Sequence, residues 1–134
     1  MAGTTKTVLL IDDDADVHEV VKMILEPKGF KVECVLTGPA GLEAARRLMP
    51  DVLLLDIMLD TPSEGFHIAY TMKNDDVLKS IPIVIISSIG KKMGIDYAKE
   101  LGTEYVPANQ FIEKPFDGQG LLKAINEALA GAKK

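Results

Sequence analysis

The sequence has only one cysteine, Cys34, among its 134 residues. A single cysteine cannot build an internal disulfide framework, so the chain fits a reducing compartment. The fold must then be held by an apolar core, and 134 residues with 47% hydrophobic side chains are enough for one domain. We predict that Cys34 is a small apolar residue on a strand and not a reactive thiol.

An excess of basic residues and a long apolar run are also absent. The net charge is −5, which argues against a nucleic-acid binder, since such a protein needs a basic face to neutralise phosphates. The apolar runs are too short for a signal-peptide core or a membrane span. No repeat, low-complexity stretch or linker divides the chain. We therefore expect a single cytoplasmic domain over residues 1–134 that binds neither nucleic acid nor membrane.

Short apolar runs alternate with segments of helical periodicity from end to end. Five runs are typical of buried strands, at residues 8–11, 31–36, 52–55, 82–87 and 111–114. Five helices are predicted. The first is capped by Asp14 or Asp16 and ends at Pro27 and Gly29, and the second begins at Thr37 and ends at Pro50. The third and fourth lie at about 66–73 and 91–101, and the fifth is capped by Asp117 and followed by Gly131. The alternation favours the α/β class with a parallel sheet.

Acidic residues follow two of these runs where each strand would end. Asp12 and Asp13 follow the first run, and Asp56 follows the third. Ligands of open α/β sheets lie beyond the carboxyl ends of the strands, so the three carboxylates are expected around one point. Like charges at close range repel one another, and a hard divalent cation neutralises an all-oxygen cluster. The residues alone therefore predict a metal-assisted site.

Polar residues also end the later runs, with Ser87 as the last residue of the fourth and Lys114 as the last residue of the fifth. Four segments now stand in order, each at a strand's end: VLLIDDD at 8–14, PDVLLLDIM at 50–58, PIVIISS at 82–88 and FIEKPF at 111–116. Together they resemble the receiver domain of two-component response regulators, of the stand-alone, chemotaxis-regulator-like kind. The resemblance implies a flavodoxin-like doubly wound fold, with a five-stranded parallel sheet in the order 2-1-3-4-5 and five helices.

The resemblance also implies the role of each site residue. Asp56 corresponds to the phosphoacceptor. The Mg²⁺ ligands would be Asp12, Asp13, Asp56 and the backbone carbonyl of Met58.

The phosphoryl group, once attached, would be contacted by Ser87 and Lys114. Ser87 and Phe111 correspond to the switch residues of the family. A lysine suits the phosphoryl contact because its ammonium is a compact point charge.

The implied function is that of a phosphorelay switch and not of an enzyme acting on a separate substrate. Asp56 would take a phosphoryl group from the phosphohistidine of a histidine kinase or phosphotransfer protein. A downstream protein would then bind the face of the predicted fourth helix, fifth strand and fifth helix. Two stretches are longer than the family pattern, the loop from Asp56 to Gly65 and the segment 103–110, and the second is expected to reshape the partner surface.

Two alternative functions remain open at this point. Asp12 and Asp14 imitate the D-x-D motif of Mg²⁺-dependent phosphohydrolases of the haloacid-dehalogenase type, although Ala15 stands where that motif has Thr or Val. A receiver-like scaffold that binds partners without phosphorylation is the other alternative. The two histidines, His18 and His67, have no partner at ligand spacing and are interpreted as ordinary surface or boundary residues.

Overall fold

A computed structural model describes residues 6–56, 62–87, 110–113 and 117–132. Its elements follow one another in the order β1 (Thr7–Ile11), α1 (Ala15–Leu25), a 3-10 turn (Glu26–Lys28), β2 (Lys31–Val35), α2 (Gly38–Leu48), β3 (Val52–Asp56), α3 (Pro62–Lys73), β4 (Ile83–Ser87), β5 (Gln110–Glu113) and α4 (Gly118–Ala132). Helix α4 is the fifth helix of the sequence prediction. The helix predicted at about 91–101 and the long segment 103–110 lie outside the described residues.

The described strands pair in parallel in one sheet, in the order β2-β1-β3-β4-β5. This confirms the parallel α/β architecture. Strands β1 and β3 are neighbours, with Val8 opposite Val52 and Ile11 opposite Leu55. Their carboxyl ends therefore lie side by side at one edge of the sheet.

Successive residues of the inner strands pack on opposite faces of the sheet, because side chains alternate along a strand. One face joins α2 and α3 in a buried cluster that includes Leu9, Leu53, Ile83, Ala45 and Met72. The other face joins α1 and α4 in a second cluster that includes Leu10, Leu54, Val84, Val21 and Ile125. Burying a side chain of the size of Leu or Ile contributes about 1.5–3 kcal/mol. The continuous apolar runs of the sequence thus reflect strands covered on both faces.

Helix ends follow the predicted capping residues. The Asp14 side chain accepts a hydrogen bond from the Asp16 amide at 2.9 Å, and Asp117 accepts one from the Gly120 amide at 2.7 Å. Gly29 follows the 3-10 turn with a φ of 94°, a left-handed conformation that favours glycine.

Two predicted helix boundaries are wrong. Helix α3 begins at Pro62, not near residue 66. Proline suits the first helical position, since its missing N–H would have no partner within the helix there, and the turn formers around it hid this start. Helix α4 continues through Gly131 to Ala132.

The amino ends of the strands are joined by backbone and side-chain hydrogen bonds. The Thr7 amide donates to Asp51 Oδ2 at 2.7 Å, and the Asp51 amide donates to the Thr7 carbonyl at 2.8 Å. On the other side of β1, the Lys31 amide donates to the Lys6 carbonyl at 2.8 Å. These bonds fix the starts of β1, β2 and β3 relative to one another.

Cys34 lies on β2, half-buried, and packs against the cluster shared by α1 and α4. Burial raises the pKa of its thiol, with smaller effects from nearby charges. A raised pKa disfavours the thiolate, which is the reactive form, so Cys34 behaves as the predicted apolar residue. In the part of the chain that the structure describes, no helix has the length and apolar character needed to cross a membrane.

An ion pair joins α2 to the turn that follows α3. Arg46 donates to Asp75, and Asp75 Oδ1 also accepts from the amides of Val77 at 2.8 Å and Leu78 at 3.1 Å. These contacts, led by the Val77 amide, hold the pKa of Asp75 below its ordinary value of 3.8. They favour the charged carboxylate in the folded state.

We expect the stability contributed by Asp75 to depend on pH. Because its pKa is lower in the folded state, the carboxylate stabilises the fold above pH 3.8, and this contribution is lost as the pH falls through the folded pKa. Asp75→Asn should therefore lower the midpoint of thermal unfolding at neutral pH and have less effect well below pH 3.8, measured by circular dichroism. Asp76→Asn, at an exposed neighbouring position, is the control and should change little. An equal effect of Asp75→Asn at both pH values would contradict this account.

Gly41 lies where α2 comes closest to the sheet. A Cβ added there would lie 2.6 Å from Cγ1 of the fully buried Ile11, and closer still to its Cδ1. Any larger residue would force the Ile11 side chain to shift within a closely packed core, so glycine is favoured here.

We expect Gly41→Ala to destabilise the fold by about 1–3 kcal/mol, the usual cost of overpacking a core. This loss exceeds the gain of up to ~1 kcal/mol that alanine brings to a helix. The control is Gly118→Ala, whose new Cβ would meet Ile24 at an ordinary 3.7 Å. Urea unfolding of both variants measures the difference, and a Gly41→Ala variant as stable as the wild type would refute the packing argument.

Candidate functional site

The site begins with the register of β1 and β3. Ile11 lies opposite Leu55, so the next residue of each chain segment, Asp12 and Asp56, emerges at the same edge of the sheet. On its other side Asp56 lies opposite Ile86 of β4. Asp56 therefore ends a central strand, between the strand that carries the acidic pair and the strand that carries Ser87.

The three predicted acids come together. Asp12, Asp13 and Asp56 each offer one carboxylate oxygen, and these oxygens lie within 4.8 Å of one another. The exposed fraction is 0% for Asp12 and 2% for Asp56, whereas Asp13 is exposed. At such a distance two unit charges repel by about 3 kcal/mol if the effective dielectric constant is about 20. A cation at this point would remove that repulsion.

The donor set fits a hard divalent cation. All three ligating groups are carboxylates, and Mg²⁺ prefers oxygen ligands at ~2.1 Å in an octahedral arrangement. Oxygens on one such ion would lie roughly 3–4 Å apart, and small side-chain rotations would bring the three carboxylates to that spacing. The exposure of Asp13 leaves the cluster open to solvent on one side, so water can complete the coordination.

The short loop between β1 and α1 is held at several atoms of Asp12. Its amide donates to the carbonyl of Val35 on β2 at 3.1 Å. Its Oδ1 accepts from the Asp14 amide at 2.9 Å. Since Asp14 also caps α1, the loop is connected directly to the first turn of the helix.

His18 contacts the loop of the acidic pair, and the prediction that it is an ordinary surface or boundary residue is wrong. It is buried on α1, and its Nε2 lies 2.6 Å from the backbone carbonyl oxygen of Asp12. Its position three residues before Val21 and seven before Leu25 is the sequence signal, because that spacing belongs to the buried face of the helix. His67 is exposed, as predicted.

The remaining predicted residues are described in part. Ser87 ends β4 opposite Glu113, and Phe111 lies on β5 opposite Ile85. For Ser87 and Phe111 the structure describes the backbone alone. Met58 and Lys114 lie outside the described residues.

Comparison with known proteins agrees with this geometry. Curated relatives include the DNA-binding dual master transcriptional regulator RpaA of Synechocystis, 28% identical over 91% of this chain and 48% of that protein. Protein PilH of Pseudomonas aeruginosa is 30% identical over 92% of this chain and 98% of its own length. The chain thus spans about half the length of several curated relatives and nearly all of PilH.

Solved structures give the same result. A putative response regulator from Chloroflexus aurantiacus superimposes with a TM-score of 0.83 at 28% identity, covering 95% of this chain and 99% of that one. A CheY-like receiver domain protein from Methanospirillum hungatei shares the fold, with a TM-score of 0.81 at 24% identity over 97% of this chain and 98% of that one. The sequence model of a protein family, the response regulator receiver domain, matches residues 8–126 of this chain. With the acid cluster at the carboxyl ends of β1 and β3, this match identifies the chain as a member of the response regulator receiver domain family.

Proposed function

We propose that Asp56 accepts a phosphoryl group from a phosphohistidine in a Mg²⁺-dependent reaction. The observation that carries the proposal is the position of its carboxylate, at the end of a central strand and within 4.8 Å of the Asp12 and Asp13 oxygens. Receiver domains are phosphoacceptors and not conventional enzymes, and they bind Mg²⁺ in an acidic pocket. Asp56 is the acid of the cluster that lies within a strand, as the last residue of β3, the middle strand of the described sheet.

The reaction exchanges one bond to phosphorus for another. A carboxylate oxygen of Asp56 forms the new O–P bond, while the N–P bond to the donor's imidazole breaks and that nitrogen takes up a proton. The nucleophile and the phosphoryl group are both anionic, and the transferred group carries spread negative charge. Charge neutralisation and alignment are therefore what this site must supply.

Asp12 and Asp13 are the residues that would hold Mg²⁺, together with Asp56 and the backbone carbonyl of Met58. Bound there, the ion would offset the charge of the phosphoryl oxygens during transfer. Asp12 is buried and held by the hydrogen bonds of its amide, carbonyl and carboxylate, so it provides a fixed ligand. Asp13 is exposed and provides the ligand on the solvent side of the cluster.

The further roles follow the family resemblance. Ser87 would donate its hydroxyl to the bound phosphoryl group, and Lys114 would pair with a phosphoryl oxygen. The chain order supports this, since Ser87 ends the strand next to Asp56 and Lys114 directly follows β5. Phe111 would change position together with Ser87 as the switch.

We propose the partners on the same basis. The phosphoryl donor is a histidine kinase or a phosphotransfer protein, and response regulators interact with such proteins. The downstream protein would bind the face of β5, α4 and a further helix at about 91–101, which would complete a five-helix fold over one domain of residues 1–134. The cytoplasm is the expected setting for this exchange.

The two alternatives have less support. A dehalogenase-type hydrolase would use Asp14 as its second acid, but the Asp14 carboxylate caps α1 through the Asp16 amide. A scaffold that is never phosphorylated would have no need for three carboxylates whose mutual repulsion opposes folding.

Phosphorylation is tested by incubating the protein with Mg²⁺ and acetyl phosphate or phosphoramidate and measuring its intact mass. We expect the wild type to gain one phosphoryl group and Asp56→Ala to gain none, because the nucleophile is missing. Asp76→Ala is the matched control, since it removes an exposed acid in the turn after α3 and should be phosphorylated like the wild type.

The other outcomes distinguish the alternatives. Continuous release of phosphate that depends on Asp12, without a stable adduct, would support the hydrolase. No adduct on the wild type under any of these conditions would support the scaffold. An adduct that persists in Asp56→Ala would move the phosphoacceptor to another residue.

The metal role of Asp13 is tested separately from folding. Because Asp13 is exposed, Asp13→Asn should leave the fold intact while raising the Mg²⁺ dissociation constant at least tenfold by calorimetry, a loss of ~1.4 kcal/mol. Asp14→Asn removes the same charge from the neighbouring position, and asparagine caps a helix as well as aspartate does. It should bind Mg²⁺ within about threefold of the wild type, a difference of under ~0.7 kcal/mol. Equal losses in the two variants would mean that overall charge, and not ligation by Asp13, governs binding.

A further inference from the structure

The contact between His18 and the Asp12 carbonyl has no place in the roles described so far. His18 is the fourth residue of α1, six residues after Asp12. Helical side chains lean toward the amino end of their helix, which lets this ring reach past the helix start to the loop. The nitrogen and oxygen are 2.6 Å apart and buried, and a buried polar ring is costly without such a bond.

The acceptor determines which ring nitrogen carries a proton. A backbone carbonyl oxygen only accepts hydrogen bonds, so Nε2 of His18 must be the donor. The ring is thereby fixed with its Nε2–H on Asp12 and is not available as a metal ligand or a phosphoryl acceptor through that nitrogen.

We infer that His18 is a positioning residue that holds the Asp12–Asp13 pair in place for the divalent cation. The inference rests on the proposed function of the acid cluster. Asp12 is bound through its amide to Val35, through Oδ1 to the Asp14 amide, and through its carbonyl to His18. The carbonyl bond is the one that ties the peptide linking Asp12 to Asp13 to the body of α1.

The hydrogen bond from His18 to the Asp12 carbonyl, here called the tether, would oppose the repulsion within the acid cluster. Asp12 and Asp56 are buried at the ends of paired strands and cannot separate without disturbing the sheet. Asp13 is exposed and follows the peptide that His18 holds, so it is the acid that can swing away. Without the tether the loop can relieve the repulsion by moving Asp13 outward, and the cation would have to draw it back.

The test compares a variant that loses the donor with one that keeps it. His18→Leu fills a similar volume without an N–H, and His18→Gln offers an amide N–H at about the reach of Nε2. We expect His18→Leu to raise the Mg²⁺ dissociation constant roughly tenfold, as loss of a residue supporting metal ligands typically does. His18→Gln should recover most of that loss. His67→Leu alters the exposed histidine and should bind as the wild type does.

Calorimetry with MgCl₂ at one fixed pH gives the dissociation constants, and acetyl phosphate gives the phosphorylation rate over a range of Mg²⁺ concentrations. The His18→Leu rate should approach that of the wild type at saturating Mg²⁺, because the defect lies in ion binding. A folded His18→Leu variant with the wild-type constant, or a His18→Gln variant no better than His18→Leu, would overturn the inference.

A spectroscopic measurement on the wild type keeps the inference testable if His18→Leu does not fold. Nitrogen-detected NMR of the imidazole side chains should show an Nε2-bound proton on His18 that exchanges slowly with solvent, and none so protected on His67. An Nε2 of His18 without a proton would contradict the tether. If the wild type binds Mg²⁺ but forms no adduct, the proposed function fails while the role of His18 is still decided by calorimetry. No Mg²⁺ binding by the wild type would overturn both.

Discussion

Parallel pairing of β1 and β3 in one register brings two buried carboxylates, Asp12 and Asp56, to adjacent strand ends. A slip of one residue that separated these charges would move every side chain of the strand into the opposite apolar cluster, which is packed around different partners. The repulsion between these carboxylates follows from the fold, and a cation bound between them would reduce it. Much of the surrounding structure serves to keep the acids together against this repulsion.

The two apolar faces of the sheet serve this end in different ways. The α2 and α3 side is closed so tightly that Gly41 is needed for α2 to pass over Ile11, the residue just before Asp12. The opposite side carries α1, whose start is joined to the loop of the acidic pair by Asp14 and His18. One face thus holds the strand that presents the acid, and the other holds the loop that follows it.

Much of this could be predicted from the sequence, because the relevant rules are local or depend only on chain order. Asp12 and Asp56 follow strand-like runs, and a parallel sheet brings such ends together whatever the details of packing. Asp14 and Asp117 cap helices through amides two or three residues away. The start of α3 at Pro62 was missed because proline is common both in turns and in the first turn of a helix.

The role of His18 could not be predicted from spacing alone. The helical pattern puts it on the buried face, but its partner is a backbone carbonyl whose direction depends on the path of the loop. The contact of Arg46 with Asp75, 29 residues apart, likewise depends on how α2 packs beside α3. Sequence patterns identify which groups can form a bond, and tertiary packing selects their partners.

The hydrogen bonds between Thr7 and Asp51 give the sheet two unlike ends. At the amino end the Asp51 carboxylate accepts a hydrogen bond from the Thr7 amide, which joins β1 to the start of β3. At the carboxyl end three carboxylates of like charge lie close together. The hydrogen bonds at the amino end keep β1 and β3 in a fixed position relative to each other. If Asp56 is phosphorylated as proposed, the added charge would be expected to change the loops and helices beyond the carboxyl ends of the strands more than the paired strands themselves. The Thr7–Asp51 hydrogen bonds lie at the end of the sheet opposite the acid cluster, and they favour movement at the carboxyl end over movement at the amino end.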